Sequence, residues 1–522
     1  MIGNTAQTLI QISTTPIKKM RNLQDFEVPN DGEISVCEIN GRMQSMNLEY
    51  ANVNAFTTSV EKHPKIHITR DLLHPVSSGD EGRALFLPVD VPFLKQLTQV
   101  YYEQGFYEAL HIGVSSEHIV VSKGSRLLLN LLNYVRKVQV IFNPNIRYSS
   151  TSLINNLSQT KNWQENTIRC IAWHPYYTKV AVATCDDSVR VYSSETNFTP
   201  LLRCKQQKNV TCIAWRPMSN TEVAVAHETG IIVWNIDPNS LVARPSISNT
   251  IILHRIEHKA VMSIVWSPKG DLLVSAAACD NTLLVWDVEM DRTSFLKRPG
   301  GNGNVLIKWS PNGEKLLSCT NGVVFRVWDC RNWECERWTV LSGRVQSGCW
   351  ADNGNSLLFA TNNDPVIYSV IVKSDLIFAK DVENASNKAA AIFDVAKVDI
   401  DGVMVGGLVQ SMESDPKGRQ LAVIYQETNC VTVFNVVRQA GLQLIPSSLV
   451  VGLPEERPSS VSFQQNFESG SCLTIGWSSG RVQYYPIIYT DLNHTQDNCQ
   501  LSGNNSTFLN PIMHSTKVSR FL

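Results

Sequence analysis

Seven copies of one pattern run along this chain from residue 167 onward. The first reads TIRCIAWHP, then KVAVATCDDSVRVY. The second reads NVTCIAWRP, then EVAVAHETGIIVW. The third reads AVMSIVWSPKG, then DLLVSAAACDNTLLVWD. The fourth (NVLIKWSPNG, EKLLSCTNGVVFRVWD) and fifth (RVQSGCWADNG, NSLLFATNNDPVIYSV) keep the pattern, and LVQSMESDPKG with RQLAVIYQETNCVTVF and SVSFQQN with SCLTIGWSSGRVQYYPI are weaker copies. Each copy is an alternating apolar run, a Pro/Gly/Asn/Asp turn, a second apolar run, a second turn and a third run. That is a three-stranded meander, and a fourth strand fits in the linker that follows.

The spacing names the repeat class. Trp173, Trp215, Trp266, Trp309 and Trp350 lead the first five copies, and Met412 and Phe463 take that place in the last two. The successive separations are 42, 51, 43, 41, 62 and 51 residues. The shorter ones match the WD-repeat period of about 40–45 residues, and loops absorb the excess. Within copies, Trp173 to Tyr192, Trp215 to Trp234 and Trp309 to Trp328 are each 19 residues, and Trp266 to Trp286 is 20. The expected fold is all-β, a seven-bladed WD40-type propeller over residues 160–490. Radial blades leave only short sheet edges.

The third copy is the most complete. His258 stands three residues before Val261, and Asp280 six before Trp286. With Ser275 they are expected to form a buried hydrogen-bonded set that locks the blade, because buried polar groups must be paired. Ser263 lies on its first strand. A catalytic His–Asp pair is the competing reading. The other copies lack the full set and are expected to depend on apolar packing.

Outside the repeats, residues 1–30 read as a flexible tail. Glu33–Ile39, within 31–50, alternates like a strand and is assigned to close the ring as the outer strand of the last copy. Residues 85–158 read as helical. Val91–Ala109 spaces Phe93, Leu94, Leu97, Val100 and Tyr101 as a helix does, Arg126–Val140 forms a second, and Ser150–Leu157 a short third. Their apolar faces either pack on the propeller or dock a partner or membrane interface. Arg126, Arg136 and Lys137 are a sparse basic set for membrane binding. The insertion 374–406 carries apolar runs that extend a blade. Residues 491–522 are a polar tail.

Composition narrows the chemistry. Lys+Arg is 46 and Asp+Glu 47, so no charge excess recruits nucleic acid or an anionic surface. Thirteen cysteines form no CxxC pair, and Cys330 and Cys335 have no second pair at zinc-ligand spacing. Cys170, Cys212, Cys319 and Cys349 sit in apolar runs and read as small hydrophobes. The odd count fits a reducing compartment. Met1–Ile12 lacks a secretory signal, Ile2 excludes myristoylation, and no apolar run is long enough to span a bilayer.

Two motifs suggest chemistry. Gly476–Gly480 matches G-x-S-x-G, but RVQYYPI after it reads as a strand where a nucleophile elbow needs a helix. Gly300–Gly303 lacks the Lys-Ser/Thr of a phosphate loop. No catalytic, cofactor-binding or metal-binding residues are assigned. Trp333 and Trp338 lie off the repeat positions and are candidate partner contacts.

The segment Phe325–Trp350, FRVWDCRNWECERWTVLSGRVQSGCW, resembles the aladin family, WD-repeat proteins of the nuclear pore complex. RCIAWHPYYTKVAVATCDDSVRVY and LTIGWSSGRVQYYPI resemble it too. The likeness covers about residues 160–490 well and the N-terminal third only loosely. The polar C-terminus departs from the Pro-rich tail of vertebrate members. The resemblance implies a non-catalytic nucleoporin at the nuclear envelope that supports nuclear protein import. It implies other nucleoporins as partners, with anchoring through a transmembrane one, and a link to the mitotic spindle. The rivals are a substrate-recognition adaptor of a ubiquitin ligase and an enzyme using the central channel.

Overall fold

The computed structural model describes residues 20–26, 33–39, 42–47, 60–66, 68, scattered positions between 92 and 114, 119–142, and 150–489 apart from 160–166, 197, 237–243, 248–249, 298–301, 373–388, 439–440 and 469. Seven antiparallel meanders follow one another: Ile168–Leu202, Cys212–Leu253, Val261–Leu296, Asn304–Thr339, Val345–Asp394, Val409–Val451 and Pro458–Ile488. They are blades one to seven of a propeller. The expected fourth strands are present in blades one to six: Leu201–Leu202, Thr250–Leu253, Arg292–Leu296, Glu334–Thr339, Ala390–Asp394 and Gln443–Val451. Ala390–Asp394 comes from the long insertion, as its apolar run implied, whereas the LIFA run lies outside the described residues. A small hairpin, Val398–Ile400 with Val403–Val405, precedes blade six.

Cover on both faces explains why the second strands are so deeply buried. Lys179–Thr184, Ser356–Thr361 and Gln420–Tyr425 are buried at every position, because a neighbouring blade covers each sheet face. Such strands read as continuous Val/Ala/Leu runs instead of strict alternation. The apolar clusters accordingly span pairs of blades. Six of the innermost strands share a register shift near their start, as at Ile168/Cys170 and Val261/Ser263. Such a bulge sharpens the local twist where strands crowd the axis. Gly303, just before blade four, passes so close to the Ala278 carbonyl that a Cβ would sit 1.8 Å from it. No other residue fits that approach.

The leading tryptophans stitch blade to blade. The Trp215, Trp266 and Trp350 indoles donate to carbonyls of the preceding blade: Ala172 at 3.0 Å, Ala214 at 3.3 Å and Lys308 at 2.9 Å. Trp309 instead donates to Gly313 of its own blade at 3.1 Å. Trp173 donates to Thr474 of blade seven at 2.8 Å, so the same stitch closes the ring.

Closure draws on two N-terminal stretches. Glu33–Ile39 is a strand that pairs with Arg42–Asn47 as a hairpin and lies beside Val482–Ile488, the outermost of the three strands blade seven has among the described residues. A different stretch binds the seam between blades seven and one. His63 Nε2 lies 2.6 Å from Gln464 Oε1, and the Tyr484 hydroxyl donates to the Pro64 carbonyl at 2.8 Å. Ile66 and Ile68 pack with Ile168 and Tyr484. A hairpin satisfies its inner edge by itself, whereas residues 60–68 bring side chains that fill the seam.

The N-terminal tail is also corrected in part. Arg21–Asn22 pairs in parallel with Ala390–Asp394 as a fifth strand of blade five. A single 3-10 turn, Leu23–Asp25, follows, capped by the Asn22 side chain accepting from the Gln24 amide. It drives Leu23 to zero exposure among Val395, Val405 and Tyr425. The remaining residues of the two expected tails, 1–19, 27–30 and 491–522, lie outside the described residues.

Two helices described as continuous elements precede the propeller: α1, Ile119–Phe142, and α2, Ser150–Leu157. The helix expected over 91–109 lies mostly outside the described residues. α2 packs on the propeller, with Ile154 at zero exposure and Leu153 at 5%. Burying one such side chain contributes about 1.5–3 kcal/mol.

Candidate binding surfaces

The innermost strands of all seven blades line an axial channel of about 350 Å³. Its wall carries Cys170, Cys212, Ser263 and Ser411 and one ion pair across the axis, Lys308 Nζ to Glu413 Oε2 at 3.1 Å. Burial raises the Cys170 and Cys212 thiols above their ordinary range and pushes Cys349, in the core between blades five and six, up to about 12. Such thiols are inert, in keeping with their reading as hydrophobes.

The C-terminal end of α2 lies over the mouth where the innermost strands begin. Leu157, Ser158 and Gln159 line that end of the channel. The Arg344 guanidinium approaches the Leu157 carbonyl at 3.5 Å, and Gln346 Nε2 reaches the Ser158 and Gln159 carbonyls at 3.5 and 3.4 Å. At the other end of α2, the Ser150 hydroxyl bonds to Glu228. Arg344 and Gln346 thus satisfy the terminal carbonyls of a helix. Sequence reasoning did not single them out, because nothing in the repeat marks them.

Blade three contains the expected polar set. His258 Nδ1 lies 3.1 Å from Asp280 Oδ2, and His258 Nε2 2.9 Å from the Ser275 hydroxyl. The Trp286 indole donates to that hydroxyl at 2.9 Å, and the Thr282 amide to Asp280 Oδ1 at 2.9 Å. Burial alone would raise the Asp280 carboxyl. The hydrogen bonds from His258 and the Thr282 amide outweigh that and hold it below its ordinary value. The order Asp–His–Ser matches a hydrolytic triad in atoms but not in access. Ser275 has zero exposure and His258 2%, so no substrate reaches the hydroxyl. The set locks the blade.

Two other blades keep parts of it. In blade four the Trp328 indole donates to Ser318 at 2.9 Å. In blade two the Trp234 indole donates to Gln207 Oε1 at 3.2 Å, and Gln207 Nε2 donates to the Asp187 carbonyl at 2.7 Å. Gln207 stands three residues before Val210, the place His258 holds before Val261. The parallel was visible in the spacing but hidden by the change of residue. Ser263 bridges blades instead of serving one: its hydroxyl donates to the Ile307 carbonyl and accepts from the Ile307 amide, both at 3.3 Å.

The candidate contact tryptophans part company. Trp338 is not available to a partner. It is 2% exposed, because its position on the outer strand faces inward, where it stacks on Phe325 at 6.1 Å over the junction of blades four and five. Trp333 is half-buried, edge-on to Trp309 at 6.2 Å, in a turn with φ of 56°.

The Gly476–Gly480 motif is a turn between two strands, Gly470–Trp477 and Val482–Ile488. Gly480 takes a φ of +91° there, and Ser478 accepts from the Arg457 amide at 3.1 Å. The strand–turn–helix that a nucleophile elbow needs is replaced by a hairpin.

α1 presents the clearest unpartnered surface. Ser125 and Leu129 are buried on one side. Leu127, Leu131 and Tyr134 recur at helical spacing on another, 65, 53 and 70% exposed, with Leu128 beside them at 43%. Among the described residues no helix is long and apolar enough to cross a membrane.

Comparison with known proteins agrees with this architecture. The family model described as the Aladin seven-bladed propeller matches residues 149–488. Aladin of Arabidopsis thaliana is 23% identical over 353 residues, 62% of this chain and 77% of that protein. WD repeat-containing protein AAC3 of Dictyostelium discoideum is 24% identical over 287 residues, 52% of this chain and 55% of its own length. The chain thus spans about half of the second relative. The EARP and GARP complex-interacting protein 1 of Rattus norvegicus is 26% identical over 129 residues, 24% of this chain and 33% of that protein. The matched span begins one residue before α2 and ends on the last strand of blade seven, so the chain belongs to the aladin family of seven-bladed propellers.

Proposed function

We propose that this protein is a non-catalytic scaffold of the nuclear pore complex. It supports nuclear protein import and is held at the nuclear envelope by a transmembrane nucleoporin. Family membership across the whole propeller carries this reading. The polar set most like a catalytic centre is enclosed and serves blade three, which fits a scaffold. The exposed stripe of α1 supplies a surface of the kind that marks protein contacts, and Leu127, Leu131 and Tyr134 are its anchors.

The test is the position of the tagged full-length chain in living cells beside a pore marker. The expected result is a punctate nuclear rim that coincides with the marker. Replacing Leu127, Leu131 and Tyr134 together by Asp is expected to disperse the rim while the purified variant keeps the wild-type melting temperature. Diffuse signal from the unaltered chain at near-endogenous expression overturns the pore assignment. A rim that survives the triple replacement moves the anchor site elsewhere.

A further inference from the structure

Residues 60–66 do more than cover a seam. His63 is wedged edge-on among Trp173, Phe467 and Tyr484, at ring separations of 6.0, 6.1 and 5.2 Å. With the Gln464 and Tyr484 hydrogen bonds already described, this fixes the backbone on both sides of the ring. Lys62 and Lys65, flanking half-buried His63 and buried Pro64, are exposed. They line an open groove of about 750 Å³ along blade one, within the range of ligand pockets.

Two more cations line this groove: Arg190, whose Nη1 donates to Thr184 at 3.2 Å and whose charge also acts on the Asp186 carboxylate, and the exposed Arg244. Glu61 is the one carboxylate among the described lining residues, and Ser194 and Thr199 add hydroxyl donors. The chain as a whole carries a net charge of only -1, so this is a local concentration of positive charge. Cations lining one groove repel one another and attract anions. The His63 contacts fix the backbone that carries Lys62 and Lys65.

We propose that this groove binds an extended acidic peptide segment of a partner protein, with its glutamate or phosphoserine side chains paired to Lys62, Lys65, Arg190 and Arg244. Lysine and arginine give charge-assisted hydrogen bonds to both anions, and hydroxyls complete a phosphate shell. Single-stranded nucleic acid is the other polyanion to consider. It binds through aromatic platforms for its bases. Of the aromatic rings lining this groove among the described residues, Tyr192 is 7% exposed and His63 is half-buried and held edge-on by Trp173, Phe467 and Tyr484, so neither offers an open face for a base to stack on.

The experiment titrates full-length protein into short fluorescent peptides and follows anisotropy. One peptide carries glutamates and phosphoserines, one carries glutamates with serines, and one has glutamine and serine throughout. Binding of either acidic peptide, weakening as salt rises, is expected, and the two arms tell phosphate from carboxylate. The neutral peptide is expected not to bind. Lys62→Glu with Lys65→Glu is expected to weaken binding about tenfold or more with an unchanged melting curve. Lys259→Glu with Lys269→Glu, exposed on other blades, is the control and keeps wild-type affinity. Equal loss in both pairs, equal binding of the neutral peptide, or tighter binding of an oligothymidine of matching length overturns the proposal.

Discussion

Blade three and blade seven reach stability by opposite routes. Blade three carries its lock within residues 258–286: Asp280, His258, Ser275 and Trp286 form one buried chain of hydrogen bonds. Blade seven has three strands among the described residues and is held from outside. Trp173 reaches Thr474, His63 reaches Gln464, and the Tyr484 hydroxyl reaches Pro64, across sequence separations of 301, 401 and 420 residues. A local lock needs a short, complete motif. A closing seam needs the ends of the chain to meet, and loop closure sets their entropic cost.

The largest expected break falls in blade three. Trp286→Ala should cost about 3–5 kcal/mol by leaving a cavity and unpairing Ser275, measured by urea unfolding. Ser263→Pro should cost about 3 kcal/mol, since it distorts an inner strand and breaks the Ser263–Ile307 bridge to blade four. If both variants unfold like wild type, the strands are misplaced.

Removing residues 1–48 should cost about 2 kcal/mol, the burial of Leu23 against blades five and six. It should leave the seam of blades seven and one intact, because residues 60–68 remain. A larger loss, with exposure of Trp173 detected by fluorescence quenching, would assign the closing role to Glu33–Ile39 as well. His63→Ala should cost about 1.5 kcal/mol, and the coupling test sharpens the contrast between blades. Its effect should be non-additive with Trp173→Phe by about 0.5 kcal/mol or more and additive with Trp286→Phe.

Acid provides the smallest break. Burial, helped by the nearby His254, holds His227 at about 4, and its Nε2 has no hydrogen-bond partner among the described residues. Unfolded histidine titrates near 6.5. The unfolded chain therefore takes up its proton first as pH falls. The stabilisation is complete above about 6.5 and is lost as pH falls toward 4. From pH 7.5 to 5.5 this amounts to about 1 kcal/mol. His227→Gln should flatten the fall in melting temperature over that range, and an unchanged slope would place the acid sensitivity elsewhere. His63, also lowered by burial, makes the seam acid-sensitive in the same direction.

The repeat made most of the fold legible before any coordinate. A strand that faces a neighbouring blade must repeat its apolar pattern, so seven copies declared seven blades. The polar set of blade three was legible because its four residues fall within one copy. Gln207 was not, because the same place is filled by a different residue that donates to a backbone carbonyl. The burial of Trp338 was not legible, because the residue lies off the repeat positions and only the packing of blades four and five encloses it.

The sequence alone determined the number and order of the blades, the turns between their strands and the lock of blade three. Those depend on contacts between residues a few positions to a few tens apart, which leave a period in the chain. Only the tertiary structure decided that residues 60–68 bind the seam, that α2 covers one mouth of the channel and that Leu23 docks beside blade five. Each joins segments more than a hundred residues apart. One such contact leaves no period, and its partners are chosen by the shape of a surface that exists only once the blades have assembled.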